Sequence, residues 1–335
     1  MPGQIAIIGL GQIGGSVGLA LREAKSPLQR IGFDKDGAVL RAAESIGVVD
    51  QAARRLPDAV RDADIVLLAL PLGEIKETLT LTAPYLKESA VVMDTSPVKA
   101  SLTALMQKML PEGRYYVGLV PAVTAEALVS PETGLKGARP DLFKRTVMIV
   151  DAPHGTLENV EKLATNFVRL IGAKPLLADI AESDGLMTAA HILPQLAAAA
   201  LLDATVDQPG WLDARKLAGR PFVGVTGGLA YYDDVRSLKV AALGNPQAVG
   251  RALDVLIASL QGLRDGIQQG DEEAVGSVLQ DAFDARERWL NERGAAEWLS
   301  EGGEPADLPN VGDQLMNALF GNRLADRMKK NKEKG

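Results

Sequence analysis

The chain has 335 residues, 47% hydrophobic and 24% charged, enough apolar material for two globular domains. A formal charge of −7 argues against general nucleic-acid binding, and the lack of cysteine excludes thiol catalysis, disulfides and cysteine-held metals. With only two histidines, His154 and His191, proton transfer near neutral pH has few imidazoles to draw on.

The chain enters an apolar run at Gln4 with no basic segment ahead of it. No run of about 18 uncharged apolar residues is read, so the expectation is a cytoplasmic protein without signal peptide or membrane span. Residues Gln4–Ile8 have strand character and lead into Gly9-Leu10-Gly11-Gln12-Ile13-Gly14, then a helical pattern through Val17, Leu19, Ala20 and Leu21. A second strand ends on Asp34, 20 positions after Gly14. In this strand–turn–helix–strand context each glycine of the G-x-G-x-x-G turn has its own role. Gly9 permits the tight turn, Gly11 the close approach of a pyrophosphate, and Gly14 the packing of helix on strand. The helix N-terminus offers unpaired N–H groups and partial positive charge to phosphates. Asp34 can accept hydrogen bonds from both adenosine ribose hydroxyls and would repel a 2′-phosphate, so NAD is expected over NADP; the adjacent Lys35 softens that choice.

Alternation continues. Ala38–Ile46 reads as helix, Ala53–Arg61 as a short amphipathic segment, and Asp64–Leu70 as a strand buried on both faces. Ligands of doubly wound sheets lie beyond strand carboxyl ends, which places Leu70 and Pro71 against the cofactor. A helix over Ile75–Leu86, a strand over Ala90–Asp94 with exit loop Thr95–Lys99, a helix over Ala100–Leu110 and a strand over Tyr115–Val120 follow. The loop Ala122–Leu142 is either a substrate cover or a surface insertion. Strand Thr146–Val150, helix Leu157–Ile171 and strand Lys174–Ala178 close an α/β Rossmann domain, doubly wound and mainly parallel, over residues 1–180.

Residues 181–335 read as all-α, a substrate and dimerisation domain. Asp184–Ala204 is helical with a kink expected at Pro194, and its apolar run Leu196–Leu202 predicts burial within a domain or in a homodimer. Further helices are expected over Val223–Leu243, Pro246–Gln269, Asp271–Arg293 and near Val311–Lys330. The basic tail Arg327–Lys334 reads as a solvated terminus.

Several pieces together resemble the prephenate/arogenate dehydrogenase family of tyrosine biosynthesis. They are Gly9–Ala20, Asp94-Thr-Ser-Pro-Val-Lys99, Tyr116-Val-Gly118 before a proline, Gly134–Phe143, and Ser183-Asp184 with Leu193-Pro194. The resemblance implies oxidation of a cyclohexadienyl C4 hydroxyl, hydride transfer to NAD(P), loss of CO₂ and aromatisation. Lys99 and Glu126 match the family's pattern, and Arg236 stands roughly where its substrate-binding arginine lies, with Lys239, Arg215 and Arg220 as alternatives. Three positions depart from it. Val120 replaces the family's catalytic histidine, Pro97 its serine, and Ile192 and Gln195 its paired histidines. His191, seven residues after Asp184 on an expected common helix face, is a candidate replacement, with a core histidine held by a backbone partner as the alternative and somewhat favoured reading. Two other functions stay open: an NAD-dependent dehydrogenase of another hydroxy acid or ring alcohol, and a catalytically silent NAD-binding sensor. A small-molecule substrate and no metal are expected.

Overall fold

In the computed structural model the described residues are 3–231 and 234–296. They divide into two units, one made of residues up to Leu70 with Glu74–Ile180, the other of Pro71–Gly73 with Ala181–Ala295.

The first unit is built on an eight-stranded sheet in the order β3-β2-β1-β4-β5-β6-β7-β8. The strands are β1 (Gln4–Ile8), β2 (Gln29–Phe33), β3 (Gln51–Ala52), β4 (Ile65–Leu68), β5 (Val91–Asp94), β6 (Tyr115–Pro121), β7 (Val147–Asp151) and β8 (Lys174–Leu177). The first six have the order of the two mononucleotide halves of a dinucleotide-binding fold, reversing between β1 and β4. Strands β1, β4 and β5 are apolar on both faces because helices cover both: α1 (Gln12–Glu23), α2 (Gly37–Ser45), α3 (Leu56–Val60), α4 (Leu72–Thr82), α5 (Ala100–Met109), α6 (Ala125–Val129) and α7 (Glu158–Leu170). Ile5, Ile7, Leu67, Met93, Val117, Phe143 and Phe167 form the centre of the core.

One pairing breaks the parallel pattern. β7 runs antiparallel to β6, with Val120 opposite Ile149 and Pro121 opposite Met148. The connection between them therefore begins and ends at the carboxyl end of β6. Its Ala122–Leu142 part is more ordered than a loop: it contains α6 and a 3-10 turn over Gly134–Gly137. Its end is anchored, since Leu142 and the following Phe143 are fully buried, while Val129 and residues 131–134 are exposed. Periodicity does not predict the two-residue β3; its residues are exposed or half-exposed and give no alternation to read.

The second unit is helical. Helix α8 (Ile180–Met187) passes through a π-helical turn, Thr188–Ile192, into α9 (Leu193–Thr205), with α10 (Trp211–Leu217), α11 (Arg220–Thr226), α12 (Gly228–Tyr231), α13 (Val235–Gly244), α14 (Pro246–Gln269) and α15 (Glu272–Ala295) following. The wide turn stands just before Pro194, which lacks the N–H that a continuous α-helix needs there. A single helix over Val223–Leu243 does not form. Gly227-Gly228 lowers helix propensity at the first break, and Asp234 starts α13 afresh by accepting the Ser237 N–H at 2.6 Å. The helix expected near Val311–Lys330 and the basic tail lie outside the described residues.

The apolar run Leu196–Leu202 is mostly half-buried; only Ala198 within it is buried, so full burial inside one chain is corrected. The expectation that no long uncharged apolar run exists is also corrected. Ile180–Thr205 is long and apolar enough to cross a membrane by length and composition, and Gly185–Leu202 carries no Asp, Glu, Lys or Arg. Thr188, His191 and Gln195 interrupt the apolar character, and Ser183, Asp184, Thr188 and Gln195 are buried. Helices α11, α12 and α14 pack on α9.

Candidate active site

The Gly-rich turn lies between β1 and α1. Gly9 has φ +90°, and a Cβ there would come within 2.3 Å of the Ala69 carbonyl oxygen. At Gly14 a Cβ would meet the Gly9 carbonyl oxygen at 2.0 Å. Gly11 is different: its φ of −71° suits any residue, and nothing lies within 4 Å of where its Cβ would stand. Two glycines therefore serve packing while the third leaves an open face at the N-terminus of α1, where no acidic side chain stands in the first turn. That is the cradle a pyrophosphate requires.

Around it, Leu10 is fully buried and Ile13 packs on the core. Leu70 stands beside Gly9, its Cδ2 3.0 Å from the position of an added Cβ. Pro71, the next residue, is exposed and falls in the helical unit. Asp34, at the end of β2, accepts the Leu10 N–H through Oδ2 (2.8 Å) and the Asp36 N–H through Oδ1 (2.9 Å), so its carboxylate is fixed over the turn with lone pairs to spare.

The 122–146 connection braces this turn. Gly15 leaves room for Ala138 and Leu135, the Arg139 N–H donates to Ser16 Oγ (2.9 Å), and Gln12 Nε2 donates to the Gly137 carbonyl (3.3 Å). Glu126, on α6, is exposed, and its charge reaches Arg139.

Lys99 lies elsewhere in character. Its ammonium donates to both Asp94 oxygens (2.8 and 2.9 Å), and both side chains are 0% exposed. Tyr116 donates its hydroxyl to Asp94 Oδ2 (2.7 Å) and the Ser96 N–H donates to Asp94 Oδ1 (2.7 Å). Burial, and then the negative charge of Asp94, push the Tyr116 hydroxyl well above its ordinary value. This knot clamps the exit loop of β5. Sequence reasoning singles out Lys99 and passes over Tyr116, although Tyr116 starts the Tyr-Val-Gly segment; the signal available was an aromatic with a polar tip among apolar strand residues.

In the helical unit, Arg236 has an exposed surface and runs its stem over Gly73, where a Cβ would meet its Cγ at 2.8 Å. Ser237 Oγ accepts the Gly73 N–H at 3.0 Å. His191 sits in the π turn and is half-buried, its carbonyl accepting from Gln195 Nε2 (3.0 Å). The wide turn shifts the helical register: the buried stripe runs Asp184, Thr188, Ile192, Gln195, and His191 lies beside it. Lys239, Arg215 and Arg220 are exposed, and His154 is exposed after Pro153. Val120 is buried in β6, and Pro97 follows Ser96 in the clamped loop.

Residues 17–177 match the family model described as prephenate dehydrogenase, nucleotide-binding domain. Over this domain the chain is similar to the prephenate dehydrogenases. A cyclohexadienyl dehydrogenase of Zymomonas mobilis is 36% identical over 107 residues, 32% of this chain and 36% of that protein. A prephenate dehydrogenase of Bacillus subtilis is 25% identical over 206 residues, 61% of this chain and 54% of the relative. The chain thus spans about a third to a half of the length of these relatives. Among solved structures, the prephenate dehydrogenase of A. aeolicus in complex with hydroxyphenyl propionate and NAD⁺ aligns with a TM-score of 0.73 at 22% identity, covering 86% of this chain and 98% of that one. The likeness of fold therefore extends beyond the sheet into the helical unit.

Proposed function

We propose that this chain is an NAD-dependent dehydrogenase of prephenate or arogenate that works in tyrosine biosynthesis in the cytoplasm. The carrying observation is the open Gly11 face at the N-terminus of α1 with Asp34 fixed over the turn, inside a domain that matches the nucleotide-binding domain of prephenate dehydrogenases. NAD bound there supplies the hydride acceptor. Gly9, Leu10, Gly11, Gln12, Ile13 and Gly14 shape the phosphate cradle, Asp34 takes the ribose hydroxyls, and Leu70 and Pro71 flank the cofactor.

Within this reading Arg236 carries a cation for a substrate carboxylate, supported by its exposed surface beside Gly73. Lys99 is a positioning residue that holds the β5 exit loop, since its ammonium is enclosed with Asp94. Glu126 is a polar group on the bracing segment. His191 holds or accepts the proton of the C4 hydroxyl; the support is that the residue is only half-buried on the π turn. Oxidation of that carbon releases the carboxylate as CO₂, and the aromatic ring formed makes the step irreversible. The test is NADH absorbance on mixing the protein with NAD and either prephenate or arogenate; no turnover with both sinks the proposal.

A second reading follows from Val120. A buried valine neither accepts a proton nor a hydrogen bond where the family resemblance places its histidine. This favours another hydroxy acid or ring alcohol, or a silent NAD-binding sensor. NADH binding without turnover of any hydroxy acid would select the sensor.

We also propose a homodimer through the helical unit. Supporting it are the exposed side chains of Val255, Leu260 and Ile267 on α14 and of Phe283 and Trp289 on α15.

A further inference from the structure

The residue after Asp34 is Lys35, a cation beside the expected place of the adenosine ribose. Left to itself, such a cation would welcome a 2′-phosphate and erode the preference that Asp34 sets. In the structure its ammonium forms an ion pair with Glu74. Glu74 stands in the first turn of α4, where the helix N-terminus stabilises a carboxylate. Its side chain is 24% exposed against 75% for Lys35, so the glutamate is the more enclosed partner. Asp34 is held separately, by the Leu10 and Asp36 N–H groups, and does not compete for Lys35 through those bonds.

We propose that Glu74 is a cofactor-specificity residue, which draws Lys35 away from the 2′ position and so keeps the site selective for a dinucleotide without a 2′-phosphate. The inference rests on the dinucleotide reading above. It assigns discrimination to a residue 40 positions from Asp34 in sequence, on a different helix from the one that follows β2. Arg41 is a further cation on the helix that follows β2, its Nη1 3.3 Å from where a Gly37 Cβ would be.

The experiment titrates the full chain and its E74Q, K35M and K35M/E74Q variants with NADH and NADPH, following nucleotide fluorescence. Thermal melts confirm that each variant is folded. E74Q is expected to raise NADPH affinity relative to NADH by about threefold to tenfold, the range that releasing one half-exposed ion pair can supply. The gain should vanish in K35M/E74Q. An unchanged NADPH/NADH ratio in folded E74Q overturns the proposal. A gain that survives in K35M/E74Q also overturns it, and assigns the effect to Arg41 or to the lost negative charge alone. Wild-type protein that binds neither nucleotide would remove the dinucleotide reading itself, and this inference with it.

Discussion

The three glycines of the turn separate folding from binding at single positions. Gly14→Ala puts a methyl against the Gly9 carbonyl and should cost about 1–3 kcal/mol, the usual penalty for overpacking, seen as a lower Tm. Gly11→Ala fills only open space, so its Tm should match wild type while NADH affinity falls by about tenfold or more. Equal Tm losses in the two variants would refute the assignment of Gly11 to the ligand. The Asp94–Lys99–Tyr116 knot gives a second contrast. Lys99→Met leaves a buried carboxylate without its cation and should destabilise by about 3–5 kcal/mol in denaturant titrations. Tyr116 adds a pH signature. Its folded-state pKa lies well above the ordinary 10.0, so the folded protein keeps a proton that the unfolded chain releases. Its contribution is complete below pH 10.0 and declines as pH rises through the folded-state value. Tyr116→Phe should therefore be less stable than wild type at neutral pH by about 1–3 kcal/mol, through the lost bond to Asp94, and should show a shallower alkaline loss of stability. An alkaline slope identical to wild type would contradict this.

Among elements, the α/β half was legible because its signals are local. Continuous apolar runs such as Ile65–Leu68 mark strands buried on both faces, and Gly9–Gly14 marks the β1–α1 turn. The reversal of β7 was not legible: a strand's direction is set by what it pairs with, and the run Val147–Asp151 reads the same either way. The π turn was hidden for a related reason. Pro194 announces a disturbance, but whether a helix kinks or widens depends on neighbours, here α13 and α14 packed on that turn. Regular helical spacing puts His191 on the face of Asp184, whereas the wide turn puts Ile192 and Gln195 on the buried stripe. The bracing of α1 by the 122–146 connection joins residues more than 120 positions apart, beyond the reach of periodicity. It predicts that Ser16→Ala, which strips the acceptor from the Arg139 N–H, lowers stability by about 1–3 kcal/mol and weakens NADH binding in the same titration. Lowered stability with unchanged NADH affinity would confine the brace to a folding role.

For the whole molecule, the exposed apolar side chains argue for self-association. Phe283 is 73% exposed on a helix that contributes no buried residue, a costly arrangement for a chain that works alone. Sedimentation of the wild type should give a dimer, and Phe283→Glu should shift it towards monomer without loss of the far-ultraviolet helical signal. A wild-type monomer across the concentration range would refute the proposal. The assignment of Pro71–Gly73 to the helical unit is not readable from strand–helix alternation, because those residues closely follow β4 in sequence.

The antiparallel return of β7 has a practical consequence. Because the connecting segment starts and finishes at one end of the sheet, its middle is a promontory with two independent footings. The Thr124 N–H donates to the Leu142 carbonyl (3.0 Å) on one side, and Gly137–Arg139 rest on α1 on the other. Between them Val129 is 80% exposed, followed by Pro131, Glu132 and Thr133 in the open. A protease nick there would leave both stumps anchored, so the cut protein should migrate whole on a native gel and split only under denaturant. The same site would accept a fluorescent label or an inserted epitope, offering a handle for reporting ligand-dependent movement without touching the sheet.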